Sequence, residues 1–526
     1  MHPVLINGEW RPSRGKSSFQ AINPACKATL PGVFPVSSWE EIREALQAAH
    51  HAFETTRYWP GSRFADFLFA CADYVEARGD EIIAAAHLET ALPVSPRLRD
   101  AEFPRTINQL RQAAQAAKGG SWRQATIDTA NNIRSFLAPI GPVAVFGPNN
   151  FPFAFNSIAG GDFAAAVAAG NPVIAKGHSS HPDTTRLFGE AVHAAAVSTG
   201  MPPGFVQLIY RTSHEDGARL VAHPLIGASG YTGARNAGLL LKGAADLAGK
   251  PFYAELSSVN PTYFLPGALE ERFDEIVTEY VGSALLGAGQ FCTNPGFVVL
   301  KAGKTSEDFI SAVATKFQAA PVGTLLGEGT EVHLRAGIVA LQRAGATVVT
   351  GAQPVDLTRY CHANTLLRVS GSEFLKNPEG LQSEAFGNAA LIVVAANDDE
   401  LEAITRKLEG SLTGCIYSSK SGADDALYNR VEAVLRYRVG RLLNDKMPTG
   451  VTVSPAMNHG GPFPSTGHPG FTSVGIPASL RRFAVLQCYD NVRNERLPKL
   501  LQDENPDKAW RLVDSKWTED HVVNNG

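Results

Sequence analysis

Short apolar runs alternate with helical segments from residue 142 to residue 256, and that alternation leaves few folds open. The runs are Pro142-Val143-Ala144-Val145-Phe146, Pro172-Val173-Ile174-Ala175-Lys176, Phe205-Val206-Gln207-Leu208-Ile209, Leu225–Tyr231 and Phe252-Tyr253-Ala254-Glu255-Leu256. Between them, helices are predicted near 157–169, 183–200, 214–222 and 234–248. Buried strands separated by helices call for a parallel, doubly wound sheet. Such sheets bind ligands at the carboxyl ends of their strands.

The alternation restarts after residue 257. Helices are expected at 270–287, 306–319, 331–344 and 398–409, and strands at 297–300, 346–349, 391–395 and 413–417, which makes a second α/β unit. Ahead of the first unit come short strands and turns over 1–35, then helices near 38–57, 60–78, 79–91 and 98–117. Residues 122–139 are more polar and extended, 447–477 is rich in Gly and Pro, and 481–489 alternates like an exposed strand. A chain of 526 residues is too long for one core, so two or three domains are expected. The fold class is α/β.

Several function classes drop out. The net charge is −4 with no basic run, which gives no case for nucleic acid. No stretch of about 18 apolar residues occurs, and the first residues lack a basic stretch followed by an apolar one, so neither a membrane span nor a secretory signal is expected. The six cysteines are scattered without C-x-x-C pairing. That argues against a zinc site or disulfide framework and for a reducing, cytoplasmic setting.

One cysteine stands out. Gly287-Ala288-Gly289-Gln290-Phe291-Cys292-Thr293-Asn294-Pro295 reads as a tight loop presenting a single thiol. A thiolate is a strong nucleophile, although a lone cysteine in apolar sequence is more often inert core. Glu255 ends a predicted strand among apolar neighbours. Burial there raises a carboxyl pKa and suits a general base, the alternative being a salt-bridged structural Glu. Asn150, in the loop after the first strand, has an amide that can donate to an oxyanion or simply serve the turn. No G-x-G-x-x-G is present. Instead Thr232-Gly233-Ala234-Arg235-Asn236-Ala237-Gly238 leads from a strand into a helix, whose N-terminus suits a pyrophosphate. Lys176, just past another strand, can reach a ribose or a phosphate.

In chain order these stretches resemble the aldehyde dehydrogenase superfamily. The matching motifs are Asn150-Phe151-Pro152, Lys176, Thr232-Gly233-Ala234, Glu255-Leu256-Ser257-Ser258, Gly289-Gln290-Phe291-Cys292 and Glu384-Ala385-Phe386-Gly387. The resemblance implies a Rossmann-type cofactor domain (1–121 and 140–256), a catalytic domain (257–477) and small oligomerisation strands (122–139 and 478–490), with 491–526 left as an extension. It implies a homodimer or homotetramer. Cys292 would attack an aldehyde to form a thiohemiacetal and then a thioester, Asn150 would hold the oxyanion, and Glu255 would activate the hydrolytic water. Gly233, Gly238, Glu384 and Phe386 would bind the cofactor, and no metal is implied. Family members that prefer NAD often carry Glu three residues after the Lys, where this chain has Ser179. With Lys176 and His178 beside it, that implies NADP is preferred over NAD.

Local signatures point to a subgroup. Ala159-Gly160-Gly161-Asp162, Lys176-Gly177-His178, Pro448-Thr449-Gly450-Val451 and His459-Gly460-Gly461-Pro462-Phe463-Pro464 resemble 2,5-dioxopentanoate (α-ketoglutarate semialdehyde) dehydrogenases. Such an acidic substrate calls for a cation, and Arg105 and Arg111 are candidates, with solvated helix charge as the plain alternative. Phe151, Phe153, Phe155 and Phe291 are candidates to line an apolar substrate tunnel. They keep open a fatty- or other hydrophobic-aldehyde dehydrogenase. A CoA-acylating enzyme fits less well because Glu255 is present, and a catalytically silent binding protein fits less well because Cys292, Glu255 and Asn150 all are.

Overall fold

The structure, a computed structural model, describes residues 1–522. The chain opens with β1 (Val4–Ile6), β2 (Glu9–Arg11), and a hairpin of β3 (Ser17–Asn23) and β4 (Ala28–Val36). After a helical stretch come β5 (Thr126–Asp128) and β6 (Ile133–Pro139). Then follow β7 (Val143–Phe146), β8 (Val173–Lys176), β9 (Val206–Ile209), β10 (Ala228–Thr232) and β11 (Phe252–Glu255). These last five are parallel and lie in the order β11-β10-β7-β8-β9, with β1 and β2 added antiparallel at one edge. The order reverses between β7 and β10, which opens a crevice at their carboxyl ends.

A second sheet is built from β12 (Pro261–Phe264), β13 (Phe297–Lys301), β14 (Thr347–Thr350), β15 (Thr365–Ser370), β16 (Ala389–Ala395), β17 (Ser411–Tyr417) and β18 (Val439–Asn444). Its order is β14-β15-β16-β13-β12-β17-β18, parallel except for β14. Apolar clusters cover both faces of each large sheet, as near-continuous Val/Ile/Leu runs require. β15 and β18 were not expected from the sequence, because Arg368 and Arg441 interrupt their apolar pattern.

The third sheet adds β19 (Ala484–Asp490), β20 (Arg511–Val513) and β21 (Lys516–Thr518), in the order β19-β6-β5-β20-β21. The tail expected as a separate extension therefore supplies two of its strands. Arg511 draws the tail together by donating to the backbone carbonyls of Gln502, Asp503 and Asp520. The helix expected from about Ser157 starts instead at Gly161. Before it the chain makes turns, because the buried Glu102 carboxylate accepts from the Phe153 and Ala154 N–H groups at 2.9 Å each.

Among the described residues no helix is long and apolar enough to cross a membrane.

Candidate active site

Three strand ends and one loop converge at the crevice. β7 runs into the loop holding Asn150, β10 ends at Thr232, and β11 ends at the buried Glu255. The Cys292 loop faces them from just before β13. Its approach is left-handed at Gly287, Ala288 and Gly289, with φ of 56°, 57° and 68°. Gly289 has a further reason to be glycine: a Cβ there would lie 2.1 Å from the Gly387 carbonyl oxygen, so the loop docks directly on the Phe386-Gly387 segment. Asn260 fixes the far side by donating to the Cys292 and Asn294 carbonyls at 2.9 Å.

The thiol does not sit alone. Cys292 Sγ lies 3.4 Å from His459 Nε2, and the same nitrogen lies 3.0 Å from Glu255 Oε1. Ser473 donates to the other Glu255 oxygen at 3.0 Å. These three ligating atoms fall within 4.8 Å of one another, but the separations are hydrogen-bond distances, and Ser473 satisfies part of the carboxylate. The Gly/Pro-rich stretch that brings His459 and Ser473 is pinned to β11: Leu256 N–H donates to Ser465 O and Gly467 N–H to Ala254 O.

Burial and the Glu255 charge push the Cys292 thiol well above its ordinary pKa, against the pull of Arg105. Glu255 goes the other way. Burial pushes its carboxyl up, but the His459 charge and hydrogen bonds from His459, Ser473 and Cys292 together hold it below the usual value. The sequence expectation of a raised carboxyl is therefore corrected: donors brought from 459 and 473 outweigh the desolvation. The resting pair is a thiol beside a carboxylate.

A cleft of about 720 Å³ runs past this centre, and Asn150, Gly233, Glu255, Cys292, Glu384 and Phe386 all line it. Asn150 donates its amide to the Gln290 carbonyl at 3.1 Å, one residue from Phe291 in the Cys292 loop. Burial pushes the Glu384 carboxyl up to about 7, against hydrogen bonds from Ser257 and the Ser258 backbone. The helix Arg235–Leu247 opens at the cleft wall without a side-chain cap, so its first N–H groups are free to meet a pyrophosphate. The residues thus fit a dinucleotide.

Gly238 is not part of that wall. A Cβ there would stand 2.4 Å from Leu256 Cδ2 and 2.8 Å from the Tyr231 ring, so its smallness lets the helix pack on the sheet. Lys176 ends β8 and His178 and Ser179 follow it, all three outside the main cleft. Burial, then the nearby Arg211, lower the Lys176 pKa to about 8. Burial, His181 and Lys176 keep His178 well below its usual value, and its Nδ1 accepts from Ser180 N–H, which leaves Nε2 as a neutral donor.

Phe151, Phe155 and Phe291 form one cluster beside Cys292, with ring centroids 5.4 and 5.5 Å apart. Phe153 does not join them. It is fully buried in the first sheet's core against Phe103 and Phe188, because the turn held by Glu102 points it inward. Of the two candidate arginines, Arg111 is exposed and paired with Asp73 and Glu76, which rules it out, whereas Arg105 lies over the Phe151 and Phe155 rings. Sequence reasoning assigned no role to His459, Ser473, Asn260, Arg97 or Arg211. Only the His459-Gly460-Gly461 signature hinted at the first.

The sequence profile of the aldehyde dehydrogenase family matches residues 10–447. The chain belongs to the aldehyde dehydrogenase family. It is 40% identical over 496 residues to the alpha-ketoglutaric semialdehyde dehydrogenase 2 of Azospirillum brasilense, covering 92% of this chain and 93% of that one. It is 35% identical over 527 residues to the alpha-ketoglutaric semialdehyde dehydrogenase of Acinetobacter baylyi, covering 98% of each. Among solved structures, the fold matches an aldehyde dehydrogenase C variant of Pseudomonas syringae in complex with NAD+ and octanal. The TM-score is 0.80 at 22% identity, over 93% of this chain and 96% of that one. It matches Thermus thermophilus 1-pyrroline-5-carboxylate dehydrogenase with the same TM-score at 24% identity, over 93% and 92%.

Proposed function

We propose that this NAD(P)-dependent aldehyde dehydrogenase oxidises 2,5-dioxopentanoate to 2-oxoglutarate, with Cys292 as nucleophile, Asn150 as oxyanion donor and Glu255 as base. The carrying observation is the continuous chain Cys292 Sγ–His459 Nε2–Glu255 Oε1, at 3.4 and 3.0 Å, on the wall of a dinucleotide-sized cleft. The two relatives at 40% and 35% identity favour the substrate.

The chemistry follows from the protonation states. The thiol proton passes along the His459–Glu255 chain and out to water, and the thiolate bonds to the aldehyde carbon. The carbonyl oxygen becomes an alkoxide facing the Asn150 amide. The bound nicotinamide supplies the acceptor for the hydride that this carbon gives up with its electron pair. Cys292 then carries the acyl group as a thioester. Glu255, ionised and fixed by Ser473, draws a proton from water. The hydroxide adds to the thioester carbon, Cys292 leaves as the thiolate and takes the proton held by Glu255, and the carboxylic acid leaves.

For the cofactor, Gly233 and the helix after it would receive the pyrophosphate, and Glu384 and Phe386 the nicotinamide end. We infer that NADP is preferred: Lys176 and the nearby Arg211 face no carboxylate at Ser179, so a 2′-phosphate would meet two cations. The cysteines are all unpaired thiols, which favours a reducing, cytoplasmic setting. The third sheet is read as the oligomerisation element.

Steady-state kinetics with 2,5-dioxopentanoate, succinate semialdehyde and a long-chain aldehyde, each with NAD and NADP, test the proposal. The highest kcat/KM is expected for 2,5-dioxopentanoate with NADP. A higher value for the long-chain aldehyde would overturn the substrate, and a higher value with NAD would overturn the cofactor preference.

A further inference from the structure

The helix Phe103–Gly119 and the turn before it carry two arginines and one carboxylate next to the phenylalanine cluster. Their charges do not cancel. Glu102 is fully used: one oxygen accepts from Phe153 and Ala154 N–H, and the other pairs with Arg97 Nη1 at 2.6 Å. Arg97 spends a second nitrogen on the Asn150 carbonyl at 3.0 Å. Arg105 is left over. Its only protein hydrogen bond among the described residues is from Nε to the neutral Gln109 side chain, at 3.0 Å. Its Nη2 is buried with no partner, and among the described residues no carboxylate lies within ion-pair distance of it.

A half-buried guanidinium with no counter-charge and one unpartnered nitrogen is costly to keep. Aromatic faces compensate in part: its carbon lies 5.7 Å from the Phe151 ring and 5.3 Å from the Phe155 ring. Those rings pack with Phe291 and Cys292, and Phe155 also lies 5.9 Å from the His459 ring. Arg105 therefore stands behind the ring cluster that packs on the thiol, beside the main cleft and not in its lining. Its positive charge acts on both the Cys292 thiol and the Glu255 carboxylate. The other cation felt by the thiol, Arg441, is occupied by the Pro448 and Gly450 carbonyls.

We infer that Arg105 is the specificity residue that receives the distal carboxylate of the aldehyde substrate, its planar fork pairing with the 2-oxo acid end while the aldehyde carbon meets Cys292. This rests on the proposed oxidation through Cys292 and assigns the group that selects an anionic aldehyde. A carboxylate supplies the one negative charge that the Arg97, Glu102 and Arg105 cluster lacks. The phenylalanine rings exclude water from the pair, which strengthens it.

The test compares 2,5-dioxopentanoate with pentanal, a neutral aldehyde of the same chain length, in the parent, Arg105→Gln and Arg105→Lys. Arg105→Gln should lower kcat/KM for 2,5-dioxopentanoate about 100-fold, mostly through KM, while pentanal loses far less. Arg105→Lys should recover part of the loss. As a binding readout independent of turnover, 2-oxoglutarate should slow iodoacetamide alkylation of the parent and of Arg105→Lys but not of Arg105→Gln. Equal losses on both aldehydes, no loss on either, or full protection of Arg105→Gln would each overturn the anchor. A parent that oxidises neither aldehyde sinks the oxidation reading, and the protection assay then decides the anchor alone.

Discussion

At the scale of single residues, the site works through opposed titrations. The Cys292 thiol is raised by burial and by the Glu255 charge, and the Glu255 carboxyl is held low by His459, Ser473 and Cys292. At neutral pH the thiolate fraction is therefore small, and iodoacetamide alkylation of the free enzyme should keep rising as pH increases past the ordinary thiol range. Glu255→Gln removes one of the charges that raise the thiol, so its alkylation curve should move to lower pH. The same variant should lose turnover by a factor on the order of 10² to 10⁴, because no base remains for hydrolysis. A variant that alkylates more slowly would contradict the electrostatic account. His459→Gln separates the roles further. Turnover should drop about 10²-fold, with the loss in acylation, seen as a smaller burst of reduced nicotinamide than in the parent. Cys292, Glu255 and Asn150 are legible through the family motifs, since the local sequence leaves each open, and the structure brings all three to one cleft. The roles of His459 and Ser473 are not, since their partner Glu255 is 204 and 218 residues away and locally only the His459-Gly460-Gly461 signature marks the first. At Gly238 the structure shows a packing reason for glycine, and in sequence a glycine that admits a phosphate and one that admits a helix look alike.

At the scale of elements, the two large sheets were legible because buried parallel strands and amphipathic helices have distinct periods. The joints between elements were not, because they depend on polar pairs far apart in the chain. Asp162, in the first turn of the helix Gly161–Ala168, meets Arg482 at 2.7 Å with both side chains buried. Arg482 also lies over the Phe471 and Phe483 rings and donates to Ser479 O. The pair ties the first sheet's helix layer to the turn that enters β19. Breaking it by Asp162→Asn should cost about 3–5 kcal/mol, since a buried guanidinium would lose its counter-charge. Arg482→Met alone should cost a similar amount, and the double variant should cost clearly less than the sum. Denaturant midpoints at one fixed protein concentration measure all three, and strict additivity would show that the two residues do not act as a pair.

At the scale of the whole molecule, the third sheet has two free edges that differ in kind. β21 is three residues long and carries Lys516, which is how natural edges are blunted. β19 is seven residues long, pairs with β6 on one side only, and carries no charge before Asp490. Val485 is 40% exposed and Leu486 66% exposed on it, with Cys488 also at the surface. A long, unblunted strand edge with exposed apolar side chains is stable in water only when something pairs with it. The occupant we propose is a second copy of the chain, because the tail is already used at the other edge of the sheet as β20 and β21. Light scattering on a sizing column should give a mass of two or four chains at micromolar concentration. The double substitution Val485→Lys and Leu486→Lys places charge on both faces of the strand and should shift that mass toward the single chain, with far-ultraviolet circular dichroism unchanged. An unaltered mass in the folded variant would move the interface elsewhere.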